Sequence, residues 1–144
     1  MNTTYFLNQI MGNVFGSKTD PALPREYYLG LSTTAPNVDG SGVSEPNTPG
    51  DAYARVKIDC FSEPVNGMIC NTASIAFPES LYPWCNPTAP ITHYVIYDAA
   101  EGGNLLVFDE LSPSRIVEVN TVVAIKPESL KITLSNPAEP AVEA

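Results

Sequence analysis

Asn66-Gly67-Met68-Ile69-Cys70-Asn71-Thr72-Ala73-Ser74-Ile75-Ala76-Phe77 opens a stretch that runs on to Asp98-Ala99-Ala100-Glu101-Gly102-Gly103-Asn104-Leu105-Leu106. Within it, Asn66-Gly67 and Glu101-Gly102-Gly103-Asn104 each separate short alternating apolar runs, which is the signature of β-hairpins. Asn-Gly suits the positive φ angles of a type I′ turn, whose twist matches the strands that it joins. The spacing predicts that residues 59–62 pair back against 68–73, with Cys60 opposite Ala73. The chain is built as a meander, and shape takes precedence over chemistry.

Alternation extends this reading in both directions. Residues 26–32 place Tyr27, Leu29 and Leu31 on one face and Tyr28 and Gly30 on the other. Further strand signals lie at 53–60, 68–77, 105–111, 115–119, 121–125 and 130–134. In 91–98, Ile91, His93, Val95 and Tyr97 alternate with Thr92, Tyr94, Ile96 and Asp98, and both faces are substantial, which predicts a central strand buried on two sides. The expected fold is all-β, an antiparallel β-sandwich of about eight strands with one short N-terminal helix and long proline-rich loops.

That helix occupies residues 1–16, where Phe6, Leu7, Ile10, Met11, Val14 and Phe15 recur at helical spacing, Thr3 or Thr4 can cap the start and Gly16 can end it. We expect it to cover one end of the β core, because a free helix this short is marginal in water; docking to a partner is its other use. Residues 17–134 form the sandwich domain and 135–144 a tail rich in Pro, Ala and Glu. With 144 residues the chain has the length of one domain and enough material for a sizeable core. Residues 1–16 show no basic region and no uninterrupted apolar stretch, so neither a secretory signal nor a membrane span is expected in them.

Charge and composition exclude several classes. Seven Lys plus Arg against 16 Asp plus Glu give a net charge of −9, and the cations are scattered singly, so nucleic acid is not expected as a partner. Three cysteines, Cys60, Cys70 and Cys85, cannot all pair within one chain and offer no zinc spacing. Reduced thiols acting as small hydrophobes are the simpler reading. Fourteen prolines imply stiff, abundant loops. Residues 33–51, rich in glycine and proline, read equally as an arm or contact loop and as a disordered surface loop, and residues 78–90 as a second loop carrying Tyr82, Trp84 and Cys85.

Catalytic readings are weak. His93 could meet Cys85 with Asp98 or Asp109 as the acid of a nucleophilic set, but no local nucleophile signature accompanies them, and a hydrogen-bonded strand histidine accounts for His93 better. Calcium could find oxygen ligands at Asp98 and Glu101, or at Asp39 with Ser41; ordinary turn chemistry explains both groups. No cofactor, metal or enzymatic activity is expected.

Beyond these physical readings, several motifs resemble those of small virion proteins of tailed bacteriophages. Tyr28-Leu29-Gly30-Leu31-Ser32-Thr33-Thr34, Gly42-Val43-Ser44-Glu45-Pro46 and Tyr53-Ala54-Arg55-Val56 look like their opening half. Asn66-Gly67, Asn71-Thr72-Ala73, Ile75-Ala76-Phe77-Pro78, Trp84, Ile91-Thr92-His93, Tyr97-Asp98-Ala99-Ala100, Gly102-Gly103-Asn104-Leu105-Leu106 and Leu130-Lys131-Ile132-Thr133-Leu134 follow in the same order. Departures are the long Cys85-Asn86-Pro87-Thr88-Ala89-Pro90 connection, where a tight Trp-Gly-Thr is usual, and Val119-Asn120-Thr121 in place of a Gly-Asp turn.

The resemblance implies a virion structural protein made in the host bacterial cytoplasm, of a kind labelled capsid decoration, minor tail or tail-fibre protein. Decoration is the first expectation: the chain would bind the outer face of the major capsid protein shell and stabilise it. Contact with tail proteins or a host surface receptor is the alternative. A carbohydrate-binding sandwich, with Trp84, Tyr82 and Tyr94 as a stacking platform, is a third. A homo-oligomer is expected, a trimer being one form, with no nucleic acid or membrane partner. The residues expected to meet a partner are Asn37, Asp39, Val43 and Glu45 in the first loop, and Tyr82, Trp84 and Asn86 in the second.

Overall fold

A computed structural model describes residues 1–16, 23 and 26–134. The expected tail at 135–144 lies outside the described residues. One helix, α1 (Thr4–Phe15), precedes β1 (Tyr28–Ser32), β2 (Val56–Lys57), β3 (Met68–Cys70), β4 (Ile75–Ala76), β5 (Ile91–Tyr97), β6 (Leu105–Arg115), β7 (Ala124–Ile125) and β8 (Lys131–Thr133). All the pairings are antiparallel: a four-stranded sheet in the order β2-β1-β5-β6, and two ribbons, β3-β8 and β4-β7. The all-β, antiparallel reading of the alternation therefore holds.

Central placement of β5 between β1 and β6 follows from its two apolar faces. Tyr94 and Ile96 enter a large core that also contains Leu29, Leu31, Ile75, Phe77, Val117, Ile125 and Leu130, while Val95 and Tyr97 join Leu105 and Phe108 in a smaller one. Two register shifts in the β5-β6 pairing, one between Ile91 and His93 and one between Ile96 and Tyr97, redirect side chains. As a result Ile91 joins the Tyr94 face, and Leu106 and Val107 both enter the large core. At the second shift one extra residue, Leu106, is inserted in β6, and a single inserted residue locally reverses the side-chain alternation.

Beside the second shift, Thr3 bonds to the carbonyls of Leu105 and Leu106. Its Oγ1 donates to both, at 2.7 and 3.1 Å, and its amide donates to Leu106 at 2.9 Å. Oγ1 also accepts from the Phe6 amide and so caps α1. Residues 1–3 thus run along the outer edge of β6, with a bridge between Asn2 and Val107, and cover an edge that would otherwise be open.

Two strand expectations are corrected. The 68–77 strand is broken into β3 and β4, because the wholly buried Asn71 turns its side chain to the backbone: Nδ2 donates to Ala73 and Lys126, and Oδ1 accepts from the Leu130 amide. Residues 105–111 and 115 lie on one strand, β6, which continues through a cis Ser112-Pro113 bond. Helix α1 lies against β6, with half-buried Phe6 packed against the large core, while Leu7, Met11, Val14 and Phe15 are exposed.

The hairpin turn at Asn66-Gly67 has the expected conformation, with φ of 54° and 74° and reciprocal amide bonds between Val65 and Met68. Its register beyond the turn differs by one residue from that predicted. Phe61 pairs with Asn71, and Cys60 accepts from the Thr72 amide, so Cys60 faces Thr72 and not Ala73. Glu63-Pro64 intervenes on that side, and Pro64 has no amide to continue the ladder.

Candidate partner-binding surface

The 33–51 segment is stitched into the molecule along its length. Its first half folds back on itself: the Thr33 amide donates to Ser44, the Ser44 amide to Ser32 Oγ, and the Asn37 amide to Ser41. The turn between them is chemical. Asp39 Oδ1 accepts from the Ser41 hydroxyl and amide at 2.6 and 2.9 Å, which holds its carboxyl below the usual carboxylate range. The Thr4 amide, at the start of α1, donates to Val38.

The second half is anchored by Glu45 and Arg55. Period-two alternation puts Tyr53 and Arg55 on one side of their segment, and both reach the Glu45 carboxylate. Oε1 accepts from Tyr53 Oη at 2.7 Å and from Arg55 Nε at 3.0 Å, and Oε2 accepts from another guanidinium nitrogen at 3.0 Å. Arg55 also donates to the carbonyls of Ala99 and Gly102, both at 2.8 Å, and its guanidinium lies 3.6 Å over the Tyr97 ring. One side chain, 7% exposed, thereby joins the first loop to the tip of the β5-β6 hairpin. A planar fork of donors suits this task where an ammonium does not.

Tyr53 Oη in turn accepts from the Leu31 amide at 3.0 Å. Burial pushes the Tyr53 phenol well above the ordinary tyrosine range, and the neighbouring Glu45 charge pushes it further.

The 78–90 segment runs antiparallel to 117–123 without forming a regular strand. Phe77, Ser80 and Trp84 donate their amides to Val123, Thr121 and Val117. Ser80, wholly buried, donates its hydroxyl to Glu118 and accepts from the Thr121 amide. The two loops meet at Asp51, whose carbonyl accepts from the Leu81 amide and from Trp84 Nε1. A cleft of about 240 Å³ lies between them, lined by residues that include Ser44, Glu45, Asn47, Pro83, Trp84 and Asn86.

Of the seven residues expected to meet a partner, this cleft brings together Glu45, Trp84 and Asn86. Tyr82, 53% exposed, leans over Gly50, where an added Cβ would lie 3.4 Å from its ring. Asn37 and Asp39 are exposed at the turn, and Val43 packs against the smaller core. Trp84 is a core residue: it is 4% exposed and sits edge-on to both Tyr53 and Phe77. Tyr94 is also buried, so the stacking platform expected from Trp84, Tyr82 and Tyr94 does not form.

The other chemical readings are placed apart by the fold. His93 pairs with Ser32 and Glu110 across the sheet and shares a hydrogen bond with Thr92, whereas the Cys85 thiol contacts the Arg115 carbonyl and the Val117 amide. Asp98 is occupied by the amide and side chain of Asn104. All three cysteines are unpaired and half-buried. Among the described residues no cluster of three His, Cys, Asp or Glu could hold a metal, and no helix is long and apolar enough to cross a membrane. Sequence reasoning missed Arg55, Tyr53 and Asp51; the Tyr53-x-Arg55 spacing was the available signal.

Residues 2–133, from the edge strand through β8, match the family described as podophage GP4 fiber I protein gp80. No curated protein is matched. The match takes in α1, the four-stranded sheet, both ribbons and both proline-rich loops. The chain belongs to the podophage GP4 fiber I protein gp80 family and is a structural protein of the bacteriophage virion.

Proposed function

We propose that this protein is a non-enzymatic component of the phage tail, a fibre protein that contacts tail proteins or a host surface receptor through the face built by its two proline-rich loops. The fibre family to which it belongs carries this reading, and it favours the tail alternative over decoration of the capsid shell. The loops support it physically. They are held by side-chain and backbone bonds, so their exposed tips present a fixed shape, and a partner need not bear the entropy cost of ordering them. In this reading the β3-β8 and β4-β7 ribbons form the second layer of a sandwich over the four-stranded sheet, since Ile75, Ile125 and Leu130 share a core with Leu29 and Ile96.

Labelling intact particles with an antibody raised against the purified protein tests the assignment. Label is expected at the tail, and label spread over the head would restore the decoration reading.

A further inference from the structure

Helix α1 has two faces with different fates. Phe6, Gln9, Ile10 and Asn13 are half-buried, at a spacing that marks one side of a helix. On another side Leu7, Met11, Val14 and Phe15, spaced i, i+4, i+7 and i+8, are 42, 56, 57 and 78% exposed. Scattered exposed apolar residues need no explanation, but four on one helical stripe form a patch. Helix propensity does not hold such a segment in place. Twelve residues that include Gly12, Asn8, Asn13, Val14 and Phe15 make a marginal helix in water.

The charge pattern identifies what covers the stripe. The chain carries a net charge of −9, yet the helix, Thr-Tyr-Phe-Leu-Asn-Gln-Ile-Met-Gly-Asn-Val-Phe, contains no Asp, Glu, Lys, Arg or His. Two identical acidic bodies repel each other wherever their surface charges approach within about a Debye length of 8–10 Å. An uncharged apolar face is where that repulsion is least and the gain from burial greatest. Size sets the strength. At about 200 Å² for a whole large side chain, these exposures leave roughly 470 Å² on each chain, so two copies meeting there remove about 930 Å² from water, the size of a weak association that needs tens of micromolar protein to form.

We propose that α1 is a self-association element, with the Leu7, Met11, Val14 and Phe15 stripe packing against the same stripe of a second copy of this chain. The contact is helix against helix, with identical residues supplying both sides. It is independent of where in the virion the protein sits, so it stands or falls separately from the tail assignment.

Sedimentation of the purified full chain at tens of micromolar, beside the variant Met11→Lys/Phe15→Lys, tests it. The wild type is expected as an oligomer and the variant as a 15.5 kDa monomer with the wild-type circular-dichroism spectrum. A wild-type monomer overturns the proposal, including one whose helix is covered by a tail protein in the particle. So does a folded variant that keeps the wild-type mass. Should the double variant lose its spectrum, Met11→Gln, uncharged and helix-compatible, must weaken association at least tenfold; unchanged association by that folded variant also overturns the proposal. Leu81→Lys, on the distant loop, is expected to leave the mass unchanged, and dissociation of that variant would assign the interface to the loops.

Discussion

Gly30 lies beneath the Glu45 carboxylate and the Tyr53 hydroxyl, and a Cβ built there would fall 2.5 and 2.8 Å from those oxygens and 3.0 Å from Val95. Neither polar group can step aside freely, because Arg55 grips the carboxylate with two bonds and the Leu31 amide holds the hydroxyl. Gly30→Ala is therefore expected to lower unfolding stability by about 1–3 kcal/mol, read as a fall in the denaturant midpoint; a loss under about 0.5 kcal/mol would mean that the anchor is looser than its geometry. Burial also raises the phenols of Tyr53 and Tyr94 far above the ordinary value of 10.0. The unfolded chain releases these protons near that ordinary value while the folded chain keeps them. Their contribution is thus complete below about pH 10 and is lost as pH rises beyond it, at about 1.4 kcal/mol per pH unit for each tyrosine. Tyr94→Phe should make the alkaline decline of stability shallower, and an unchanged slope would contradict this account.

At the scale of elements, the Asn66-Gly67 turn shows how local chemistry and tertiary contact combine. Gly67 has φ of 74°, and an added Cβ would meet the Leu134 carbonyl at 2.7 Å, just past β8. Gly67→Ala should cost about 1–2 kcal/mol and speed hydrogen exchange of the β3 and β8 amides before those of β5; equal acceleration in both would place the defect elsewhere. This turn was readable because Asn-Gly fixes a backbone conformation without outside help. The doubly apolar β5 was readable because side chains on both faces require two covering layers. What alternation cannot encode is a residue that bonds sideways. Asn71 breaks a predicted strand by satisfying the Leu130 amide and the Lys126 carbonyl, and Thr3 bonds to β6 beside the β5-β6 irregularity from a hundred residues away. The place of Trp84 in a proline-rich loop points to a surface contact, yet the side chain lies in the large core with its indole N–H satisfied by the Asp51 carbonyl. Likewise, the apolar spacing of α1 announces an amphipathic helix without saying whether its own core or another body takes the stripe.

For the molecule as a whole, the loops are part of the scaffold. The Glu45-Arg55 contact, the Asp39 turn and the Asp51-Trp84 bond bind them to the sheet and to one another, leaving Tyr82, Asn86, Asn37 and Asp39 displayed at the surface. In the proposed reading such a body works by complementarity of a fixed face, which suits a virion part that must hold one geometry. Repetition then distinguishes its location, since a shell presents many equivalent sites and a tail few. Counting copies per purified particle by quantitative mass spectrometry, against the major capsid protein as an internal standard, is the most direct test. A fibre protein predicts roughly three to twelve copies, whereas hundreds of copies would contradict the tail assignment and return this protein to the capsid surface.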